Sequence, residues 1–298
     1  MDDMHTEGFS RLLQRFAPGG RLLRSWRMSG GVSAEVTALE YETENGERRR
    51  AVARRHGPAD LASDAQIAQH EFRLLQFINE AGIPAPTPLW VDDSCDLFET
   101  PILVVSFVEG EIDLNPVDLS GSLQQLATVL AQIHAVDISH AGLDFLQRQE
   151  RHIGAPAALL DTSLREDEIR AALASMPPPQ RRAPVLLHGD FWPGNLLWRA
   201  GRLAGVIDWE DAALGDPLVD VANARLEILW AFGHEAMADF TQDYQSITGQ
   251  DFSGLPYWDL RAALRPAGKL ESWGLVPDVM QNMIQRHQYF VQQAIENM

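Results

Sequence analysis

Lysine is almost missing from this chain. Of 24 basic side chains only Lys269 is a lysine, and the other 23 are arginines. Any task that needs a fixed cation before the last tenth of the sequence therefore falls to arginine. Cysteine occurs once, at Cys95, which excludes an intrachain disulfide and makes a reducing cytoplasm the simplest expected compartment. Cys95 sits among Asp92, Asp93 and Asp96, a setting unsuited to a reactive thiolate. Long apolar runs are missing too. Ile102 to Val105, extended by Phe107 and Val108, falls far short of the roughly 18 residues a membrane span needs. The acidic, polar start MDDMHTEGFS does not read as a signal peptide.

Acids are plentiful. The net charge is −18, which argues against nucleic acid as a partner, because phosphates are repelled at long range. Residues 1–109 hold 17 acids and 11 bases, and residues 110–298 hold 25 acids and 13 bases. A cleft in the second part is thus expected to favour a cationic substrate; acidity that only aids solubility is the other reading. At 298 residues and 45% hydrophobic content, the chain has room for about two domains.

The first hundred residues read as strands with one helix. Val32, Val36, Leu39 and Tyr41 alternate with polar residues, and Asn45-Gly46 is a hairpin turn signal. A helix is expected from Ser63, with Gln66 completing a capping box, to Ala81-Gly82. Its apolar stripe, Ile67, Leu74 and Ile78, includes Glu71, and a carboxylate there is costly unless a cation meets it. PILVVSFVEGE (101–111) reads as a strand that runs into a hinge at Gly110. Beyond it Ser122 and Gln125 resemble a second capping box, and later helices are expected over 219–230, 237–248, 260–269 and 279–297.

Residues 186–217, LLHGDFWPGNLLWRAGRLAGVIDWEDAALGDP, carry the chemistry. Val185-Leu186-Leu187 make a buried strand, Gly189 allows a sharp turn, and Asp190 projects from it. Pro193 and Gly194 shape the loop that presents Asn195, and Asp208 ends the apolar run from Leu203 to Ile207. Phosphoryl transfer needs few protein groups: a carboxylate to orient a hydroxyl and accept its proton, and an amide oxygen and a carboxylate for Mg²⁺. HGD alone is an ordinary turn; its order and spacing with Asn195 and Asp208 are not.

HGDFWPGN resembles the catalytic loop of the aminoglycoside phosphotransferase and choline-kinase-like family, the small-molecule branch of the protein-kinase-like fold. VIDWEDAALGDPLVDVA resembles its metal-binding segment, LAQIHAVDI (130–138) its long helix before the loop, and HEFRLLQFINEAGIPAPTPLW its first-lobe helix. The likeness runs over roughly residues 25 to 275. It implies an α+β, two-lobe fold, with a small β-rich lobe over residues 1–108 and a larger, mainly helical lobe over 109–298.

It also implies a phosphotransferase with an alcohol group as acceptor, using ATP or GTP and Mg²⁺. Asp190 would be the catalytic base, and Asn195 and Asp208 the metal ligands. Glu71 would pair with the phosphate-binding cation of the neighbouring strand. That strand has no lysine, so Arg54 or Arg55 must serve, and alternation along the strand favours Arg54. Gly30, Gly31 and Ser33 would cover the phosphates with backbone N–H groups, and Ser106, Phe107 and Val108 would present backbone to the base. His188 would pack the loop, and Asp216 or Asp220 would hydrogen-bond its backbone. Trp192 would either pack or line the acceptor pocket. A small hydroxyl compound is the expected partner, an aminoglycoside or other amino-alcohol being favoured by the acidic second lobe. A hydroxyacyl thioester, a sugar or a macrolide remains open, as does a catalytically inactive nucleotide-binding module, suggested by the missing strand lysine.

Overall fold

The computed structural model describes residues 3–28, 34–139, 141–149 and 159–298. Gly30, Gly31 and Ser33 lie outside the described residues. The chain divides into two compact units: Met1–Gly110 with Ala204–Glu210, and Glu111–Leu203 with Asp211–Met298.

The first unit is built on a five-stranded antiparallel sheet. Its strands are β1 (Arg21–Arg27), β2 (Ala34–Glu42), β3 (Arg48–His56), β4 (Pro88–Asp92) and β5 (Ile102–Ser106), in the order β1-β2-β3-β5-β4. The Asn45-Gly46 turn joins β2 to β3 as expected, with Gly46 at φ 78° and the Thr43 N–H donating to the Glu47 carbonyl at 2.8 Å. Helix α1 (Asp3–Phe16) lays Phe9, Leu12 and Leu13 on Leu39, Tyr41, Ala51, Ala53, Ile102 and Val104. Alternation turns Arg54 to the sheet face opposite Ala51 and Ala53.

Two helices lie between β3 and β4: α2 (Pro58–Ser63) and α3 (Ile67–Glu80). The single helix expected from Ser63 is therefore broken. Asp64 is extended, and its carboxylate accepts the Gln66 N–H at 2.9 Å, so Asp64 rather than Ser63 supports the start of α3. The buried stripe of α3 is Ala68, Glu71, Leu74, Leu75 and Ile78. β5 stops at Ser106, earlier than the run 101–111 suggested.

Ala204–Glu210 joins this unit although chain order alone places it with residues 109–298. The cause is local. The Val206 N–H donates to the Pro84 carbonyl at 2.8 Å, and Gly205 has no side chain to meet Val108, whose Cγ1 would lie 3.0 Å from a Cβ.

The second unit is mainly helical: α4 (Leu119–His134), α5 (Glu166–Ser175), α6 (Leu218–Phe232), α7 (His234–Thr248), α8 (Leu255–Ala263) and α9 (Pro277–Glu296). α4 begins earlier than the Ser122/Gln125 pair suggested, because Asp118 caps it by accepting the Gly121 N–H at 3.0 Å. α8 is displaced from 260–269 for the reason proline always gives. Pro256 suits a first turn, and Pro266 has no N–H to continue one. Two short pairings fall between α5 and α6 in the chain. β6 (Val185–Leu187) runs antiparallel to β9 (Ala213–Gly215), and β7 (Leu196–Arg199) forms a ribbon with β8 (Arg202–Val206). α6 is apolar nearly all round and buried along most of its length, so it is the central helix of this unit.

Candidate active site

In the second unit the loop 188–195 is held by its backbone. Gly189 has φ 84°, and a Cβ there would strike the Asp211 carbonyl, so only glycine fits. The N–H groups of His188 and Gly189 donate to the Asp220 carboxylate at 2.7 and 3.0 Å. The same carboxylate lies 3.3 Å from His134 Nε2, and His134 Nδ1 is 2.6 Å from the Tyr244 hydroxyl. Burial pushes the Asp220 carboxyl up, but the His134 contact, His188 and its amide outweigh it and hold the group below the ordinary aspartate value. Of the two acids expected to grip the loop, Asp220 does so. Asp216 instead steadies the first turn of α6, where its carboxylate accepts the Leu218 N–H at 3.1 Å. His188 is fully buried, with its ring edge-on to Phe191 and its Nδ1 accepting the Asp190 N–H at 3.3 Å.

Asp190 and Asn195 are brought together. Asn195 Nδ2 donates to the Asp190 carbonyl at 2.9 Å and to Asp190 Oδ2 at 3.1 Å, which turns the amide oxygen away from the aspartate. The Asp190 side chain stays one-third exposed (33%). Gly194 lets the Trp192 indole lie across the loop where a Cβ would overlap the ring. Sequence reasoning missed two neighbours. Arg265 donates to the Gly189 carbonyl at 2.8 Å and to Asp190 Oδ1 at 3.1 Å. Glu227 is pushed up to about 8 by burial and by the Asp190 charge, against the pull of Arg265. No signal announces Arg265, which lies 75 residues beyond Asp190 in an unremarkable stretch. Glu227 sits on the long apolar helix α6, where it is the one acid in ARLEILW.

In the first unit Arg54, Glu71 and Asp208 are brought together. Arg54 Nη1 lies 3.0 Å from Glu71 Oε1, and Nη2 lies 3.1 Å from both Asp208 Oδ1 and Glu210 Oε2. His56 Nε2 is 3.0 Å from Glu71 Oε2. Burial pushes Glu71 up, but Arg54 and then His56 overcome it and hold the carboxyl below its ordinary value. For Arg54, burial acts against the charge, and Glu71, Asp208 and Glu210 more than offset it, so its pKa is raised. Arg55 points the other way, ion-paired with Glu35 and over the Phe98 ring. Among Ser106, Phe107 and Val108, the Ser106 N–H donates to the Thr87 carbonyl at 2.8 Å, and Arg50 lies 4.3 Å over the Phe107 ring. Val108 packs at Gly205.

Asp208 has φ 67°, an unusual backbone state for a non-glycine residue and one associated with functional positions, and its side chain is 39% exposed. Asn195, in the second unit, has an amide oxygen and Asp208, in the first, a carboxylate, each a hard donor. His56, Asp60 and Glu210 also bring one ligand atom each within 4.8 Å of one another, but that set includes an imidazole nitrogen, which suits Mg²⁺ less well.

The family model described as the phosphotransferase enzyme family matches residues 29–264, most of the chain and both motif segments. The chain belongs to that family. Among curated proteins it is similar to acyl-CoA dehydrogenase family member 10 of Mus musculus, at 27% identity over 195 residues, covering 60% of this chain and 18% of the relative. The chain thus spans about a fifth to a quarter of the length of the acyl-CoA dehydrogenase family relatives it matches. Among solved structures it resembles the GDP complex of wild-type aminoglycoside 2'-phosphotransferase-IIIa, with a TM-score of 0.65 and 18% identity over 98% of this chain and 99% of that one. It resembles amicoumacin kinase hAmiN in complex with AMP-PNP, Ca²⁺ and Ami equally well, with a TM-score of 0.65 and 16% identity over 98% and 94% of the two chains. These likenesses give this phosphotransferase-family chain the α+β, two-lobe protein-kinase-like fold that its motifs implied. Among the described residues no helix is long and apolar enough to cross a membrane.

Proposed function

We propose that the chain transfers the γ-phosphoryl group of ATP or GTP to a hydroxyl of a small molecule. The observation that carries this reading is the pairing of Asp190 with Asn195 in a loop clamped by Asp220. Asp190 Oδ1 and Oδ2 are anchored by Arg265 and Asn195, which fixes the carboxylate where an acceptor hydroxyl can donate to it. The acceptor oxygen bonds to the γ-phosphorus, the bond from that phosphorus to the β–γ bridging oxygen breaks, the hydroxyl proton passes to Asp190, and nucleoside diphosphate leaves. Asn195 and Asp208 would be the oxygen ligands for Mg²⁺, which would supply charge neutralisation at the phosphates when bound.

In this reading Arg54 is the strand cation for the phosphates and Glu71 fixes its direction. The backbone of Ser106, Phe107 and Val108 meets the base. The GDP of one solved relative and the AMP-PNP and Ca²⁺ of the other support a nucleotide donor and a divalent ion. The fork of arginine also accounts for the missing strand lysine: one guanidinium reaches Glu71 with one nitrogen and two further carboxylates with the other.

The test is Asp190→Asn. Nucleoside diphosphate release in the presence of an acceptor should fall by about 10²–10⁴-fold. Stabilisation by MgATP or MgGTP in a thermal shift should remain. A variant that still phosphorylates at the wild-type rate would sink the assignment of Asp190.

A further inference from the structure

The second unit has two cavities that share Gln149 and Trp258. The smaller, about 240 Å³, is lined by Gly189 of the catalytic loop and by Arg261 and Arg265. The larger, about 840 Å³, is lined by Arg148, Arg181 and Arg182. Together they present five arginines and two carboxylates, Asp211 and Asp216; two of the arginines are also met by acids outside the linings, Arg265 by Asp190 at 3.1 Å and Arg182 by Asp251 at 3.6 Å. This local excess of positive charge runs opposite to the −12 of residues 110–298 as a whole.

The arginines are placed by structure. Gln147 and Gln149 bond the backbone of Leu214 on β9 at 2.9 Å each, which fixes Arg148 between them. Arg181 and Arg182 lie just ahead of β6, which pairs with the same strand β9. Arg182 is tethered to Gln250 at 3.2 Å and lies 3.6 Å from Asp251. Arg148 and Arg181 are exposed and, among the described residues, have no carboxylate within ion-pair distance.

A second observation has the same sense. Asn223 and Trp258 both line the smaller cavity and are 3% and 2% exposed. Asn223 Nδ2 and the Trp258 indole N–H have no hydrogen-bond partner among the described residues. Buried donors left without acceptors are costly, and an acceptor-rich ligand removes that cost. A cationic ligand offers donors to donors.

Building on the phosphotransfer reading above, we propose that the acceptor is an anion: a hydroxyl compound whose body carries phosphate or carboxylate oxygens. Its hydroxyl end occupies the small cavity beside Gly189, and its anionic groups lie along the arginine-lined groove. The groove is large enough for a drug-sized or nucleotide-sized ligand, and arginine is suited to hold phosphate or carboxylate in a two-pronged contact.

The experiment measures ADP and GDP release by the full-length protein with four acceptors. 3-Hydroxybutyryl-coenzyme A and sn-glycerol 3-phosphate carry phosphate, 3-hydroxybutyrate carries carboxylate, and kanamycin carries amines. One or more of the anionic compounds should raise release above the acceptor-free rate, and kanamycin should not. The phosphate and carboxylate arms tell which anion the groove takes. Arg148→Glu with Arg181→Glu should raise KM for that compound about tenfold with kcat nearly retained, because these side chains only bind. Arg148→Lys with Arg181→Lys should recover most of the affinity, and Arg21→Glu on the first unit should leave KM alone. Turnover of kanamycin only, or an unchanged KM in the charge-reversed protein, would overturn the proposal. Nucleotide binding and slow hydrolysis with no stimulation by any anionic alcohol would overturn this proposal but not the phosphotransfer reading. No thermal stabilisation by MgATP or MgGTP, together with no diphosphate release, would overturn both.

Discussion

The two units hold their functional side chains by different means. In the first, Arg54 is nearly buried, at 12% exposure, and is met by Glu71, Asp208 and Glu210. One guanidinium is set against three carboxylates there, and Arg54 and Glu71 each hold the other in its charged form. In the second, the loop of Asp190 is fixed through backbone N–H groups by a single buried acid, Asp220, itself held by His134 and Tyr244. A charge cluster sets the direction of a side chain. A backbone clamp sets the course of the chain and leaves Asp190 partly open. The contrast suits their proposed tasks: a cation that must point one way, and a base that must receive a changing partner.

The sharpest way to break this comparison is at the clamp. Asp220→Ala leaves two loop amides and His134 without their acceptor, and is expected to cost about 3–5 kcal/mol of stability, read as a lower urea midpoint. A loss under about 1 kcal/mol would mean the loop does not depend on Asp220. The cluster comes next. Arg54→Met and Glu71→Leu should each destabilise, and the double variant should lose less than their sum, with a coupling of about 2 kcal/mol. Additive losses would show that Asp208 and Glu210, and not Glu71, orient Arg54.

The smallest effect is a pH dependence confined to the second unit. Folding raises Glu227 from 4.5 to about 8, so the folded state keeps a proton that the unfolded chain releases. Stability should therefore fall as pH rises from about 4.5 to 8. Glu227→Gln should match the wild type near pH 4.5 and melt higher above pH 8. Equal melting curves at high pH would place Glu227 in water.

What could be read from the sequence was what local chemistry dictates. Asn45-Gly46 specifies its turn whatever surrounds it, and Glu71 on an apolar stripe demands a cation, which Arg54 supplies. HGD with Asn195 five residues beyond Asp190 needs no distant partner to be recognised. Helix starts were less legible, because Ser-x-x-Gln and a nearby aspartate compete for the same cap. Asp118 caps α4, and Asp64 accepts the Gln66 N–H just ahead of α3. Arg265 and the arginines of the groove were invisible for another reason. They gather from 148, 181, 182, 261 and 265, so the charge of a stretch of sequence carries no trace of their grouping.

The assignment of Ala204–Glu210 to the first unit also bears on how the protein can be made and cut. The polypeptide passes from one unit to the other after Gly110, after Leu203 and again after Glu210. No single cleavage separates them. A fragment ending at Gly110 would keep Arg54 and Glu71 but lack Asp208, Glu210 and the strand residue that binds Pro84. On the ribosome, the β-rich unit stays unfinished until residue 210 has emerged, so the amino-terminal half must wait for a late segment before its buried guanidinium is fully neutralised.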